Sequence, residues 1–327
     1  MQTLPSEFSA ALTRIQVDPK PAIEAQTEVR GVLEMSERLR QWGVDTILIG
    51  SYGRDTGICP GKDVDIFAKL TKLDASSTSP KDAYELVRDV LVDDYGKRAT
   101  PQPRSIKISF QDGFCADVVP AVRWGANWAI PTRDPRLWVD PKQRWTVTSP
   151  EKLSLLVNRR NVQPKVNGQG AFVPVVKLMR QTREHHLGDR KPGGLYIEMA
   201  TYWAFEQMVS FGSSFAEVLA STLKLVAEQF VTGAVLNDPA LNTPYAPAPT
   251  AGELIVAGNK FRDLAGKSRA ALEMDLCRAA ATWREVLGKN PDGPCFPLPD
   301  GCDERGQKIA RIAPVAATGP NEARPFA

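Results

Sequence analysis

The chain has 327 residues and a formal net charge of +3, with 43% hydrophobic and 24% charged residues. These values are ordinary for a globular protein of one large domain or two packed lobes. The mild charge argues against stable nucleic-acid binding through one strongly basic face. No apolar run approaches the ~20 residues that cross a bilayer, and the N-terminus lacks the basic and apolar blocks of a signal peptide. We therefore expect a cytoplasmic protein that is not associated with a membrane.

The cysteine pattern predicts free thiols. The five cysteines form no C-x-x-C pair and their number is odd, which indicates a reducing compartment without disulfides. His185 and His186 are the two histidines of the chain, so a His/Cys zinc site is not expected. The cysteines are Cys59, Cys115, Cys277, Cys295 and Cys302.

The first half of the chain mixes helical and strand patterns. Apolar residues recur at helical spacing up to Gly43, period-two alternation marks the strands, and Asp112-Gly113 is typical of a hairpin turn. A long Trp-rich connection follows at 123–145. This half therefore predicts a central mixed sheet flanked by helices. In chain order the predicted elements are a helix at 21–42, strands at 44–50 and 63–70, a helix at 81–96, and a strand pair at 105–110 and 114–122.

The second half predicts helices alone. Ser149 suits a helix N-cap and Pro150 suits the first helical position. A Pro-rich loop at 237–252 interrupts the helices, and the Pro/Gly-rich segment from Asn290 is expected to be mobile or loosely packed. The predicted helices lie at 150–162, 170–187, 194–210, 213–232 and 262–288. The predicted units are 1–149, 150–289 and 290–327.

Two aspartates at the start of the second strand, Asp63 and Asp65, indicate a metal site. Residues i and i+2 of a strand point to one face, so the two carboxylates lie side by side. Such a pair is unfavourable unless a cation neutralises it or one member takes up a proton, and Mg²⁺ prefers carboxylate oxygens. Asp117 lies in an apolar strand where an unpaired charge is costly. We expect an adjacent strand to bring it onto the same face.

The Gly50-Ser51 turn before this strand indicates a phosphate contact. Glycine lets the backbone approach a ligand closely, and Ser51 adds a hydroxyl and an amide at a predicted helix start, which suits phosphate oxygens. With metals on the neighbouring strand, this arrangement is the geometry for in-line transfer of a nucleotidyl group.

Together these motifs resemble the signature of the polymerase-β-type nucleotidyltransferases. The sequence reads GSYGRDTGI at 50–58, DVDI at 63–66 and ADVVPA at 116–121. Within that superfamily it most resembles the branch of oligoadenylate synthases, cyclic GMP-AMP synthase and the bacterial CD-NTases of CBASS antiphage systems. The resemblance implies an α+β, bilobed fold, in which a catalytic core at 1–149 with an N-terminal helix is followed by a C-terminal helical lobe at 150–289 and a flexible tail at 290–327.

The resemblance also implies roles for particular residues. Asp63, Asp65 and Asp117 match the metal-binding, catalytic carboxylates, and Gly50 and Ser51 match the turn that grips the triphosphate. The cofactor is expected to be Mg²⁺, as two ions, with Mn²⁺ as a substitute.

The second half resembles the family more loosely. VVKLMRQTREHH at 175–186 is similar to the helix whose lysine grips the donor triphosphate, which assigns that role to Lys177. The following helix carries the matching glutamate at Glu198. The family's Ser-Tyr/Phe pair before that helix is replaced by Gly194-Leu195. Arg54, in the loop after the turn, either contacts phosphate or holds the loop through an ion pair.

The activity that this resemblance implies is the joining of NTPs into a cyclic di- or oligonucleotide second messenger in antiphage defence, with release of pyrophosphate. Implied substrates are ATP and the other NTPs. Implied partners are an effector that binds the product and a regulator of the E1/E2-like or HORMA type. An E1/E2-like partner would conjugate the C-terminus of the chain. The alternatives are a linear oligoadenylate synthase, a transferase acting on an RNA or protein acceptor, and a non-catalytic nucleotide-sensing module. Retention of all three aspartates argues against the last.

Overall fold

Seven strands form one mixed sheet in a computed structural model that describes residues 1–61 and 63–309. The strand order is β1-β2-β5-β4-β3. β6 pairs with the C-terminal end of β5, and β7 pairs with β6. β2 and β5 run parallel at the centre, and β1 and β4 flank them in antiparallel orientation. The strands are β1 (Val44–Ile49), β2 (Asp63–Asp74), β3 (Ala99–Pro101), β4 (Ile106–Ser109), β5 (Cys115–Trp124), β6 (Asn127–Pro131) and β7 (Trp145–Thr148).

Two of these strands occupy the ends of the segment expected to be one long connection. β6 begins near the start of 123–145 and β7 begins at its end. The strands are short, and β6 ends on Pro131, so neither gives a clear alternating pattern. The predicted strands at 44–50 and 63–70 and the hairpin from 105 to 122 are confirmed.

Eleven α-helices occur in the described residues. They are α1 (Pro5–Ile15), α2 (Lys20–Met35), α3 (Glu37–Arg40), α4 (Gly50–Gly53), α5 (Pro80–Tyr95), α6 (Pro150–Val162), α7 (Phe172–Leu187), α8 (Gly194–Gln207), α9 (Phe215–Val231), α10 (Ala251–Ala271) and α11 (Leu276–Leu287). The mixed sheet with flanking helices and the C-terminal helical lobe confirm the predicted fold class.

Two predicted helices are wrong in extent. The helix expected at 21–42 breaks at Ser36, and Met35 is 72% exposed because α2 buries a different stripe of small and branched residues. The helix expected at 262–288 is two helices, α10 and α11, and the Asp275 side chain accepts a hydrogen bond from the Arg278 amide to cap the second. α1 was not predicted.

The helical lobe has its own core, to which α1 also belongs. Phe8 of α1 packs against Trp283 of α11 and against Phe296, with ring centroids 4.9 and 5.0 Å apart. Phe296 is fully buried, so the expectation of a loosely packed segment from Asn290 is wrong for its first part. Its remainder, and the conjugation predicted at the C-terminus, lie outside the described residues. A second core lies between the sheet and the two helices α2 and α5, which pack on one of its faces.

A disulfide joins Cys277 to Cys302, which corrects the prediction of free thiols throughout. It ties the segment after α11 back onto that helix. Cys59, Cys115 and Cys295 are free. A separation of 25 residues carries no C-x-x-C signature, so the pairing could not be recognised from spacing. None of the helices in the described residues combines the length and apolar character needed to span a membrane.

Candidate active site

The central strand pair brings two of the three predicted aspartates side by side. Asp65 of β2 is the direct register partner of Asp117 of β5. Asp63 precedes Asp65 by two positions and therefore points to the same face. Lys107 of β4 pairs with Asp117 from the other side, and its Nζ lies 3.6 Å from Asp63 Oδ1. The strand register thus places all three carboxylates, with one ammonium group, on one face of the sheet.

Both central carboxylates are electrostatically unfavourable in their ionised form. Water reaches part of the Asp65 side chain, but the protein around the carboxyl group desolvates it. This desolvation, together with the charge of Asp117, raises the pKa of Asp65. Burial likewise raises the pKa of Asp117, against the lowering effect of Lys107. Asp117 Oδ1 is buried and has no hydrogen-bond partner among the described residues. An orphaned acceptor beside a second carboxylate is a position at which a cation would be favourable.

The donor set fits a hard divalent cation. Mg²⁺ is held in proteins by one or two carboxylates with waters and substrate phosphates, not by closed protein cages. Within residues 1–61 and 63–309, no group of three or more His, Cys, Asp or Glu side chains is arranged to hold a metal ion by itself, so the aspartates would need water or substrate oxygens to complete the site. Asp63, Asp65 and Asp117 are therefore the residues that would hold the ion together with substrate oxygens.

Gly50 lies against the carboxylate of Asp65. It follows β1, whose last residue Ile49 pairs with Asp65, and it has φ +64°. A Cβ at this position would collide with the carboxylate of Asp65. The turn therefore requires glycine for its left-handed backbone and for the close approach of α4 to the acidic face. The predicted phosphate turn and the predicted metal face are thus adjacent.

Arg54 and Lys177, the two predicted triphosphate ligands, are both held by carboxylates. Arg54 is buried and forms a two-point ion pair with Glu198 of α8, with Nη2 3.1 Å from Oε2. Lys177 of α7 lies 2.8 Å from Asp55 Oδ1. The Asp55 side chain is 76% exposed but that of Lys177 is only 8% exposed, so an anion would reach Lys177 only by displacing Asp55. The Arg54 pair is buried on both sides.

A cavity of about 450 Å³ opens beside the turn and contains cationic side chains that the sequence did not single out. Ser51 and Asp63 line one side, and Arg180 and Arg183 of α7 line the other. Gly194 also lines it, and a Cβ there would lie 3.1 Å from Arg180 Nη2, so the departure from the family's serine leaves room for this guanidinium. Two arginines facing a serine turn form a suitable site for an anion, although Arg183 would first have to exchange its ion pair with Glu184, which lines the same cavity.

The signal for these arginines was available. Arg180 and Arg183 follow Lys177 at intervals of three, which places them along one side of α7. Burial lowers the pKa of Arg180, and the nearby carboxylate of Glu198 opposes that effect.

A second cavity of about 550 Å³ lies between the lobes on the other side of Gly50. Asp65 and Arg104 line it from the sheet, and Tyr245 lines it from the helical lobe. Trp145, of the predicted tryptophan cluster, lines it too, and its buried indole N–H has no partner in the described part of the chain. The space suits a planar, polar ligand such as a nucleobase with its sugar.

Arg104 is a cation of this cleft that no sequence pattern revealed. It lies in the loop between β3 and β4. Burial and the nearby Arg133 lower its pKa, and Asp65 and Asp117 oppose this. It forms no ion pair within residues 1–61 and 63–309, so it faces the cleft as an available guanidinium.

The fold and this arrangement define a class. A mixed sheet that carries paired aspartates beside a Gly-Ser turn, with a helical lobe closing a cleft over them, is that of a polymerase-β-type nucleotidyltransferase. The acidic face can position metal and acceptor, and the turn with its arginines can hold a polyphosphate.

Comparisons with known proteins agree with this class. Residues 1–161 match the family of the Second Messenger Oligonucleotide or Dinucleotide Synthetase (SMODS) domain. A cyclic AMP-AMP-AMP synthase of Acinetobacter sp. is 28% identical over 283 residues, covering 81% of this chain and 77% of the relative. CdnC of E. coli with ATP has a TM-score of 0.70 at 16% identity, covering 88% of this chain and 99% of that one. CdnC in complex with a HORMA protein gives 0.68 at 16%, covering 90% and 99%.

The likeness to the solved structures, at this identity, concerns the fold. The domain match over residues 1–161 and the Acinetobacter relative support a CD-NTase of the polymerase-β type, a class of nucleotidyltransferases that make cyclic oligonucleotide second messengers. Enzymes of this family generally use divalent metal ions.

Proposed function

We propose that this chain joins NTPs, with ATP as the leading substrate, into a cyclic oligonucleotide at the acidic face formed by Asp63, Asp65 and Asp117. The single observation that carries the proposal is the register pairing of Asp65 with Asp117, with Gly50 pressed against Asp65. The reaction transfers a nucleoside monophosphate to a ribose hydroxyl: a new P–O bond forms, the bond to the leaving pyrophosphate breaks, and the hydroxyl proton departs.

The three carboxylates would hold two Mg²⁺ ions, for which Mn²⁺ could substitute. When bound, these ions would lower the pKa of the attacking hydroxyl and stabilise the leaving pyrophosphate. Asp117 has a buried oxygen with no hydrogen-bond partner among the described residues, and we assign it the additional role of orienting the acceptor hydroxyl and receiving its proton.

The chain's cations would hold the donor triphosphate. Gly50 lets the backbone approach, and Ser51 offers a hydroxyl and an amide. Arg180 and Arg183 face the same cavity. Lys177 would exchange the exposed Asp55 for phosphate. Of the two roles predicted for Arg54, a phosphate contact or an ion pair that holds the loop, its buried pair with Glu198 favours the second.

We infer that adenylate is a building block because the relative from Acinetobacter is named a cyclic AMP-AMP-AMP synthase. Cytoplasmic location, a HORMA-type or E1/E2-like regulator and an effector that reads the product belong to the same proposal, as does a role in antiphage defence. The HORMA complex of the structural relative CdnC supports the first of these partners.

The test is mass spectrometry of the products formed from all four NTPs with Mg²⁺ or Mn²⁺, after phosphatase treatment. A phosphatase-resistant species with the mass of a cyclised oligonucleotide, formed without an added acceptor, is expected. Linear products ending in a phosphatase-labile triphosphate would favour an oligoadenylate synthase. Turnover only with an added RNA or protein would favour a transferase on that acceptor.

A further inference from the structure

Three consecutive residues after the Gly50-Ser51 turn are bonded to the helical lobe. Arg54 donates to both carboxylate oxygens of Glu198, Asp55 accepts from Lys177, and Thr56 Oγ1 donates to Glu198 Oε2 at 2.9 Å. Arg54, Thr56 and Glu198 are 5%, 0% and 2% exposed. Glu198 therefore satisfies two loop residues from the other lobe, in a buried site where its charge is matched by a guanidinium.

Thr56 transmits this contact to the turn itself. Its backbone N–H donates to the Ser51 carbonyl oxygen at 2.8 Å, and its own carbonyl accepts from Arg180 Nη1 at 2.8 Å. The chain of contacts from Glu198 to Thr56 to Ser51 is thus one side-chain hydrogen bond followed by one backbone hydrogen bond. Since Gly50 is next to Ser51 and touches Asp65, movement of Thr56 would displace both the phosphate turn and the acidic face.

The placement distinguishes this contact from an ordinary interlobe ion pair. Glu151 of α6 accepts from Lys69 and from the indole N–H of Trp128, which also links the sheet to the helical lobe, but on strand residues away from the turn. Glu198 instead contacts the residues that determine where Ser51 lies. Separating the two partners of this buried pair would leave an uncompensated charge in each. The intact pair therefore favours the one arrangement of the loop in which both charges are matched.

We propose that Glu198 is a positioning residue, which acts through Arg54 and Thr56 to hold Ser51 and Gly50 in the place that the transferring phosphate requires. The proposal rests on the proposed function for its kinetic readout. It makes correct docking of α8 against the loop a condition for rapid nucleotidyl transfer, because the turn belongs to one lobe and its support to the other.

The kinetic test compares Glu198→Gln and Thr56→Val with the control Glu151→Gln. A misplaced turn still admits nucleotide but aligns it poorly, and a misplacement of about 1 Å can cost about 100-fold in rate. We expect Glu198→Gln to lower kcat about 100-fold and Thr56→Val about tenfold, with KM for ATP within about threefold of wild type. The double variant should lose no more than Glu198→Gln alone, because both act through one contact. Glu151→Gln should retain wild-type kcat. Equal kcat in Glu198→Gln and Glu151→Gln would overturn the proposal.

Hydrogen exchange of the metal-free, nucleotide-free protein provides a readout that does not depend on turnover. The Thr56 amide should exchange at least about tenfold faster in Glu198→Gln than in wild type. In Glu151→Gln its exchange rate should equal that of wild type. Unchanged exchange of the Thr56 amide in Glu198→Gln would contradict the proposal. If the wild-type protein turned over no NTP, the proposed function would fail while this measurement still decided the positioning role. Thr56→Val, which removes one hydroxyl, serves the same test should Glu198→Gln not fold.

Discussion

Asp65 and Asp117 lie side by side on the only parallel strand pair found in the described part of the sheet. Asp117 has a buried carboxylate oxygen to which none of residues 1–61 and 63–309 donates a hydrogen bond. Ionising these two groups is a cost to the fold. Burial raises the pKa of both carboxyls, and the charge of Asp117 raises that of Asp65 further. A bound cation would offset that cost, and the same geometry leads to the first prediction.

Replacing Asp65 with Asn should stabilise the metal-free protein. The raised pKa means that native Asp65 holds its proton to a higher pH than the unfolded chain does, so stability falls as pH rises from the ordinary aspartate pKa through the raised one. At neutral pH the ionised group is a net cost that Asn removes. Thermal unfolding in EDTA at pH 7.5 should give a Tm higher by a few degrees, and the difference should disappear at low pH.

The matched control is Asp300→Asn, at an exposed aspartate that lines neither cavity. Its Tm should not change. Added Mg²⁺ should raise the Tm of wild type and not that of Asp65→Asn, because only the former retains the carboxylate pair. A lower Tm for Asp65→Asn in EDTA would show that the carboxylate is a structural group.

Gly50→Ala should abolish activity through a collision that the backbone cannot relieve. Gly125 provides a matched control, because it too has a left-handed φ (+57° against +64°) but open space where a Cβ would lie. Both alanine variants should lose about 1–2 kcal/mol of stability from the left-handed conformation. Gly50→Ala alone should lose activity, by about 100-fold or more, because its Cβ displaces Asp65. Equal activity in the two variants would remove the argument for close approach.

Arg183→Ala should weaken binding of the triphosphate. A charge-assisted hydrogen bond contributes about 1.5–3 kcal/mol, so KM for ATP should rise about 10- to 100-fold. Arg190→Ala, at an exposed arginine outside the cavity, should leave KM unchanged. The measurement is initial-rate kinetics at fixed Mg²⁺ and at two salt concentrations. An effect confined to kcat would place Arg183 outside the phosphate site.

The disulfide should make stability sensitive to reductant. A cross-link spanning 25 residues is worth about 3 kcal/mol in the chain-entropy account. Unfolding by urea should therefore shift to lower concentration in dithiothreitol, and Cys302→Ser should show the same shift without reductant. Cys115→Ser, at a free cysteine, should leave the reductant response intact. The absence of any response in wild type would mean that the thiols remain unpaired in solution.

The parts of the site that sequence could predict are those carried by strand geometry. Asp63, Asp65 and Asp117 stand at positions where period two and an apolar context restrict the possibilities, and Gly50 stands where a strand meets a turn. The α2 and α10–α11 boundaries were harder, because Ala-rich stripes and an internal Asp275 cap leave the helical period nearly unbroken.

Contacts between side chains of different lobes could not be predicted from a single sequence. Arg54 could equally bind phosphate or form an ion pair until α8 placed Glu198 beside it. Arg104 lies in a loop whose path depends on β3, a strand too short to recognise. The Cys277–Cys302 bond likewise depends on the return of the chain over α11. In each case tertiary contact, and not local pattern, determines the role.

The most direct test of the central claim is pyrophosphate release from ATP and Mg²⁺ by Asp117→Asn, which changes one oxygen to an amide without changing shape. The metal face is expected to supply several kcal/mol to the reaction, so release should fall about a thousandfold or more, while the unfolding Tm in EDTA stays equal to or above that of wild type. Wild-type release rates in Asp117→Asn, with a properly folded protein, would contradict the assignment of the acidic face as the catalytic centre.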